Sequence, residues 1–165
     1  MLKFKNLLVL FIIIFFISFI VLMVISTRSD KELNIESKKY VDTVLPVILK
    51  DLDYKEFMKY AANDFLKNVP EEKIAKIFEI YKKLGNFKKY LGSKGKAKTS
   101  IAIFKGKKWI YAKYKAKAEY SNGIAVIQII IIKEQGKWYI YHLKIDSKVF
   151  NKIAAKKIKT KQDKR

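Results

Sequence analysis

Residues 7–25 form an apolar run of 19 in which Ser18 is the single polar side chain. As a helix rising about 1.5 Å per residue, the run is ~28 Å long, close to the ~30 Å hydrocarbon core of a bilayer. It is apolar on every side (Phe11, Ile12, Ile13, Ile14, Phe15, Phe16, Ile17), so it lacks the polar stripe of a helix lying along an interface. Lys3 and Lys5 precede it without any acid, whereas Arg28 and Lys31 behind it stand among Asp30 and Glu32. That Lys and Arg bias favours a cytoplasmic N-terminus and an extracytoplasmic remainder. The reading is a single-pass signal anchor over residues 1–26 in the inner or cytoplasmic membrane. A cleaved signal peptide on an exported protein is the alternative, disfavoured because the run is long and no Ala-x-Ala site follows it. Residues 27–34 are short and polar and are expected to be a tether.

Helical periodicity governs residues 35–84. Val41, Val44, Leu45, Ile48, Leu49 and Leu52 recur at spacings of three and four. Pro46 within that stripe predicts a kink or a split into two shorter helices. Asp53 suits the N-cap of a second short helix with Phe57, Met58 and Ala61 apolar. A third helix is marked by Pro70 in its first turn, Glu71 and Glu72 at its positive end and Gly85 at its C-terminal cap. Its Ile74, Ile77, Phe78, Tyr81 and Leu84 share one face.

After Gly85 the period drops to two. Short strands are expected over residues 87–92 and 99–104. A long strand over 109–120 sorts Ile110, Ala112, Tyr114, Ala116 and Ala118 to one face and Lys113, Lys115, Lys117 and Glu119 to the other. Ser121-Asn122-Gly123 is a hairpin turn, since Asn-Gly accepts the positive φ such turns require. Strands over 124–133 and 137–145 complete a meander around Gly136. Helices followed by consecutive antiparallel strands define an α+β domain over residues 35–146, with helices packed on one face of a curved sheet. A basic tail over 147–165 follows. The strand 124–132 is apolar on both faces, and helices can cover only one. Its other face is therefore expected to meet the C-terminal segment or a second protein surface.

The helical stretch, the helix ending Leu84-Gly85-Asn86-Phe87-Lys88 and the meander ending Gly136-Lys137-Trp138-Tyr139-Ile140 resemble the nuclear transport factor 2-like (cystatin-like) superfamily. They look most like its small bacterial domains behind a signal or membrane segment, over about residues 35–145. The resemblance implies a cone-like fold with a cavity between sheet and helices, and frequent dimers across the sheet. It implies no particular activity, because that fold hosts many. Enzymes of the superfamily that isomerise or dehydrate small molecules use an Asp or His base in the cone. Here His142, read in register with Trp138 and Ile140, would line a pocket beside Gln128, with Tyr114 and Trp138 as further walls. A lone strand histidine is more often structural, and Asp42 and Asp146 have no partner at a mechanistic spacing. No catalytic residue is assigned; an isomerase-like or carrier role for the cavity is the minor alternative.

Composition narrows the chemistry. The 165 residues contain no cysteine and one histidine, which excludes disulfides, thiol catalysis, Cys-containing zinc sites and a histidine-rich metal site. No nucleotide or metalloprotease motif is present; Gly92-Ser93-Lys94-Gly95-Lys96 reads as a basic loop with no helix opening after it. No cofactor is expected. Lys and Arg number 36 against 15 Asp and Glu, a net charge of +21. The excess is one-sided: between Glu79 and Glu119 there are 13 lysines and no acid, and the tail adds more, Lys156 and Lys157 among them. Such a field attracts anions. Lys113, Lys115, Lys117, Lys156 and Lys157 are the anion-binding candidates, with the headgroups of the adjacent membrane as the first partner, against plain solubility. Nucleic acid is disfavoured because arginine occurs only at Arg28 and Arg165. The expectation is a membrane-anchored, extracytoplasmic binding or assembly domain of the cell envelope, not an enzyme, with a homodimer or an envelope protein as partner. A scaffold like the cone-shaped inner-membrane subunits of type IV secretion machines is the runner-up.

Overall fold

The computed structural model describes residues 2–102 and 107–151; the side chains of residues 2–11, 13, 20–29 and 100–108 fall outside the description. Helix α1 (Leu2–Asp51) is followed by α2 (Tyr54–Met58), α3 (Asn63–Asn68) and α4 (Glu71–Tyr81), which ends in a 3-10 turn at Lys82–Leu84. Four strands follow: β1 (Phe87–Ala102), β2 (Lys107–Tyr120), β3 (Gly123–Glu134) and β4 (Lys137–Asp146). They form one antiparallel meander in the order β1-β2-β3-β4. The α+β class is as the sequence indicates. Among the described residues no helix is long and apolar enough to cross a membrane. Most of the apolar run 7–25 lies on side chains outside the description.

The stripe on α1 does what its spacing predicts, since Val41, Val44, Leu45, Ile48, Leu49 and Leu52 are all buried. The helix continues through Pro46 instead of splitting. A proline inside a helix costs about 3 kcal/mol, but six buried aliphatic side chains around it contribute about 1.5–3 kcal/mol each. The expected tether also differs: residues 27–34 belong to α1. They hold no Gly or Pro, and their end is pinned to the domain. Leu33 is buried, and Asn34 Oδ1 accepts a 2.7 Å bond from the Ala97 N–H. Helix α1 ends at Asp51; the next residue, Leu52, takes a positive φ of 47°, and Asp53 then caps α2 by accepting from the Lys55 N–H. Pro70 is the N-cap residue of α4, one position earlier than a first-turn proline.

Instead of two short strands, one 16-residue strand runs through residues 87–102. Pairing with β2 extends from Phe87↔Tyr120 to Ala102↔Lys107, interrupted by bulges that absorb the irregular alternation near Gly92. At Gly95 the backbones approach so closely that a Cβ would fall 2.0 Å from the Lys113 carbonyl oxygen.

The core lies between the helices and the inner sheet face. Ala112, Ala116 and Ala118 of β2 alternate with Tyr114 and Tyr120, and Ile127, Ile129 and Ile131 of β3 continue the layer. Phe57, Ile74, Phe78 and Tyr81 fill it from α2 and α4. The two tyrosines tie β2 to α1: Tyr120 donates to the Leu49 carbonyl at 2.8 Å, and the Tyr114 hydroxyl lies 2.9 Å from Ser37 Oγ. Ile140 on the β4 edge exchanges bonds with Tyr60 and Ala62. Past β4, Val149 and Phe150 pack on the core, with Phe150 6.1 Å from the Tyr81 ring. On the outer face of β3, Val126 and Ile130 are half-buried and Ile124 remains 45 % exposed.

Candidate anion-binding face

Strand alternation sends every second residue of β1 and β2 away from the helices. Ala97, Ala112, Tyr114 and Ala116 are buried inward, so Lys94, Lys96 and Lys98 on β1 and Lys113, Lys115 and Lys117 on β2 point outward and are exposed. The register places Lys94 opposite Lys115 and Lys96 opposite Lys113. Directly opposed residues have Cβ atoms about 5 Å apart, and like charges there are destabilising. Among the described residues none of the six is ion-paired, and Lys113 sits 5.7 Å over the Tyr111 ring. Across β2 and β3, Lys115 faces Gln128, which in turn faces Lys144; Lys113 faces Ile130, which faces His142. Carboxylates reach this side at two places: Glu119 meets Lys88, and Asp146 meets Lys144 and accepts from the Gln128 amide at 3.4 Å.

These rows border a groove of about 870 Å³ lined by Gly92 to Lys94, Lys113 to Lys117, Val126, Gln128, Ile130 and His142. Its β1 wall is the bulge between Tyr90 and Ser93, where Gly92 adopts φ 88°. A polar clamp fixes that wall to α1. Asp42 accepts from Lys38 Nζ (2.5 Å), Ser93 Oγ (2.6 Å) and the Tyr90 hydroxyl (2.7 Å), and Lys38 also donates to the Ser93 carbonyl. Burial pushes the Asp42 carboxyl up, but the bonds from Lys38, Ser93 and Tyr90 outweigh it and hold the group below the usual aspartate value. Burial and the bond to Asp42 push the Tyr90 hydroxyl up.

The four expected pocket residues do not share one cavity. Gln128 and His142 line the groove on the face away from the helices, not a cone interior. For His142 the cause is a bulge in β4: Ile140 pairs with Ile131 but His142 with Ile130, so Tyr141 is an extra residue that reverses the alternation. Trp138 and Ile140 are therefore buried, whereas His142 is exposed. Tyr114 borders the groove, but its ring is buried and its hydroxyl turns to Ser37. Trp138 lies in a separate hollow with Tyr40 and Glu36, beneath Lys133 at 5.6 Å. Lys133 also pairs with Glu36, and that hydrogen bond leads the influences holding the Glu36 carboxyl down. The indole N–H of Trp138 adds to this effect without reaching hydrogen-bonding geometry.

Lys113, Lys115 and Lys117 stand together as the alternation predicts; Lys156 and Lys157 lie outside the described residues. The register adds Lys94, Lys96 and Lys98, whose Lys-x-Lys-x-Lys spacing repeats that of β2. Among the described residues no carboxylate orients His142, and no three acidic or histidine side chains gather to hold a metal. Among the described residues the arrangement gathers six lysines without an ion-pair partner on one sheet face. No family model, curated protein or solved structure matches the chain.

Proposed function

We propose that the chain is a single-pass membrane protein of the cell envelope whose extracytoplasmic α+β domain recognises an anionic partner through its lysine-lined sheet face. The observation that carries this reading is the pair of facing lysine rows, an arrangement that opposes folding and is relieved by a bound anion. The anchor rests on the apolar run 7–25. Ile12, Ile14, Phe15, Phe16, Ile17 and Phe19 are 47–64 % exposed, which suits lipid better than water. The small alpha-plus-meander plan remains compatible with a nuclear transport factor 2-like domain, and His142 has no catalytic part.

Two measurements test this. The full chain should resist carbonate extraction from membranes, with its C-terminal domain digested by protease added from the extracytoplasmic side. Release by carbonate, or protection of the domain, would overturn the anchor. In detergent, it should bind beads carrying an anionic polymer and elute as salt rises. Absent or salt-insensitive binding would overturn anion recognition. A second reading, as an assembly subunit, is favoured by the exposed apolar side chains Leu91, Ile124 and Tyr141.

A further inference from the structure

The lysine rows run alongside α1. Going down β2 from Tyr120 to Tyr114, the strand meets α1 first at Leu49 and then at Ser37. Those six strand residues advance about 20 Å and the twelve helix residues about 18 Å, so strand and helix are nearly aligned. Asn34 then meets Ala97, continuing the same direction. With α1 leaving the bilayer upright, the rows stand along the membrane normal. A flat headgroup surface meets one end of them, not their length, and it cannot enter a groove whose wall is the β1 bulge.

Resting on the anchored, anion-recognising reading above, we infer that the groove is built for a linear, non-aromatic phosphodiester polymer of the polyol-phosphate type, laid along β2. Four observations point there. Lys113, Lys115 and Lys117 repeat every two residues, six backbone bonds or about 6.8 Å. A phosphodiester chain with three carbons between phosphates also has six backbone bonds per charge, hence about the same repeat. The outward positions of residues 94–98 and 113–117 carry lysine alone, point charges that suit a rounded phosphate, with no arginine fork for a planar carboxylate. The floor offers Val126 and Ile130 to the carbon segments and, beside the N–H that Gln128 donates to Asp146 Oδ2 at 3.4 Å, the second N–H of that amide to an oxygen. Tyr114, which borders the groove, is turned inward, and the Tyr111 ring on the outward face already carries Lys113 at 5.7 Å, so a base stacking there would have to displace that lysine.

The test uses the full chain in phosphatidylcholine nanodiscs, with oligo(glycerol phosphate) of two to eight repeats as probe. Affinity should rise with length to about three or four repeats and then level off. The slope of log K against log salt should be near −2, the value for about three contacts. The triple variant Lys113→Gln/Lys115→Gln/Lys117→Gln should lose at least tenfold in affinity with its melting temperature not lowered. The control Lys50→Gln/Lys67→Gln/Lys73→Gln should stay within threefold. Equal losses in both triples would reduce the effect to net charge and overturn the proposal. Thymidine oligomers of equal phosphate number binding more tightly would overturn it in favour of nucleic acid, and poly-glutamate doing so in favour of an acidic protein. Binding to phosphatidylglycerol vesicles without oligomer binding removes this inference alone. Failure of every anionic probe removes the anion-recognising reading with it.

Discussion

At the scale of single residues, the Asp42 carboxylate links helix to sheet, because three donors converge on it from α1 and β1. Asp42→Asn should lower unfolding free energy by about 1–3 kcal/mol, as expected when buried partners lose a charged acceptor. Its pH dependence follows from the direction of the shift. A carboxyl whose folded value lies below its unfolded one stabilises fully above the unfolded value and loses that contribution as pH falls through the folded value. Denaturant unfolding at pH 7 and pH 3 should therefore show the gap between wild type and Asp42→Asn shrinking at low pH; an unchanged gap would contradict the clamp. His142 is the opposite case. Exposed and unpartnered by any carboxylate among the described residues, it should tolerate His142→Ala within about 0.5 kcal/mol, as surface positions do. Loss of a cellular phenotype at normal protein level would restore a chemical role to it.

At the scale of elements, the β1–β2 pairing decides where the lysines stand. Gly95→Ala would drive a methyl group into the Lys113 carbonyl, so it should cost about 1–3 kcal/mol or shift the register. Chemical denaturation and the β1 amide exchange pattern would show either; wild-type stability with wild-type exchange would refute the close approach. The long α1 stripe, the place of the β2–β3 turn and the alternation of β2 were legible because each depends on local spacing; the turn itself is made by Ser121 and Asn122, with Gly123 already paired in β3. The bulges in β1 and β4 were not, since an extra residue shows only once its partner strand is known. That is why β1 read as two strands and why His142 read on the wrong face. The polar segment 27–34 read as a tether because its anchoring partners, Ala97 and the core beneath Leu33, lie more than sixty residues away or in three dimensions only. The lysine repeat of β1 was visible as a pattern, but its opposition to that of β2 needed the register.

At the scale of the molecule, a net charge of +21 concentrated after Glu79 makes the fold self-repelling. Raising sodium chloride to about half molar should raise the melting temperature by screening the rows. The Lys113, Lys115 and Lys117 triple-glutamine variant should respond less, and an equal response would place the repulsion elsewhere. Under the proposed function, different tasks are assigned to the two parts of the chain, with α1 holding position in the membrane and the basic groove capturing an anion. Lysine acetylation footprinting by mass spectrometry, on the protein in its native membranes and after purification in detergent, tests that assignment most directly. The account predicts that Lys94, Lys96, Lys113, Lys115 and Lys117 are protected in the membrane and become reactive on purification, while Lys50, Lys67 and Lys73 react alike in both. Equal reactivity of all eight in both states would contradict it.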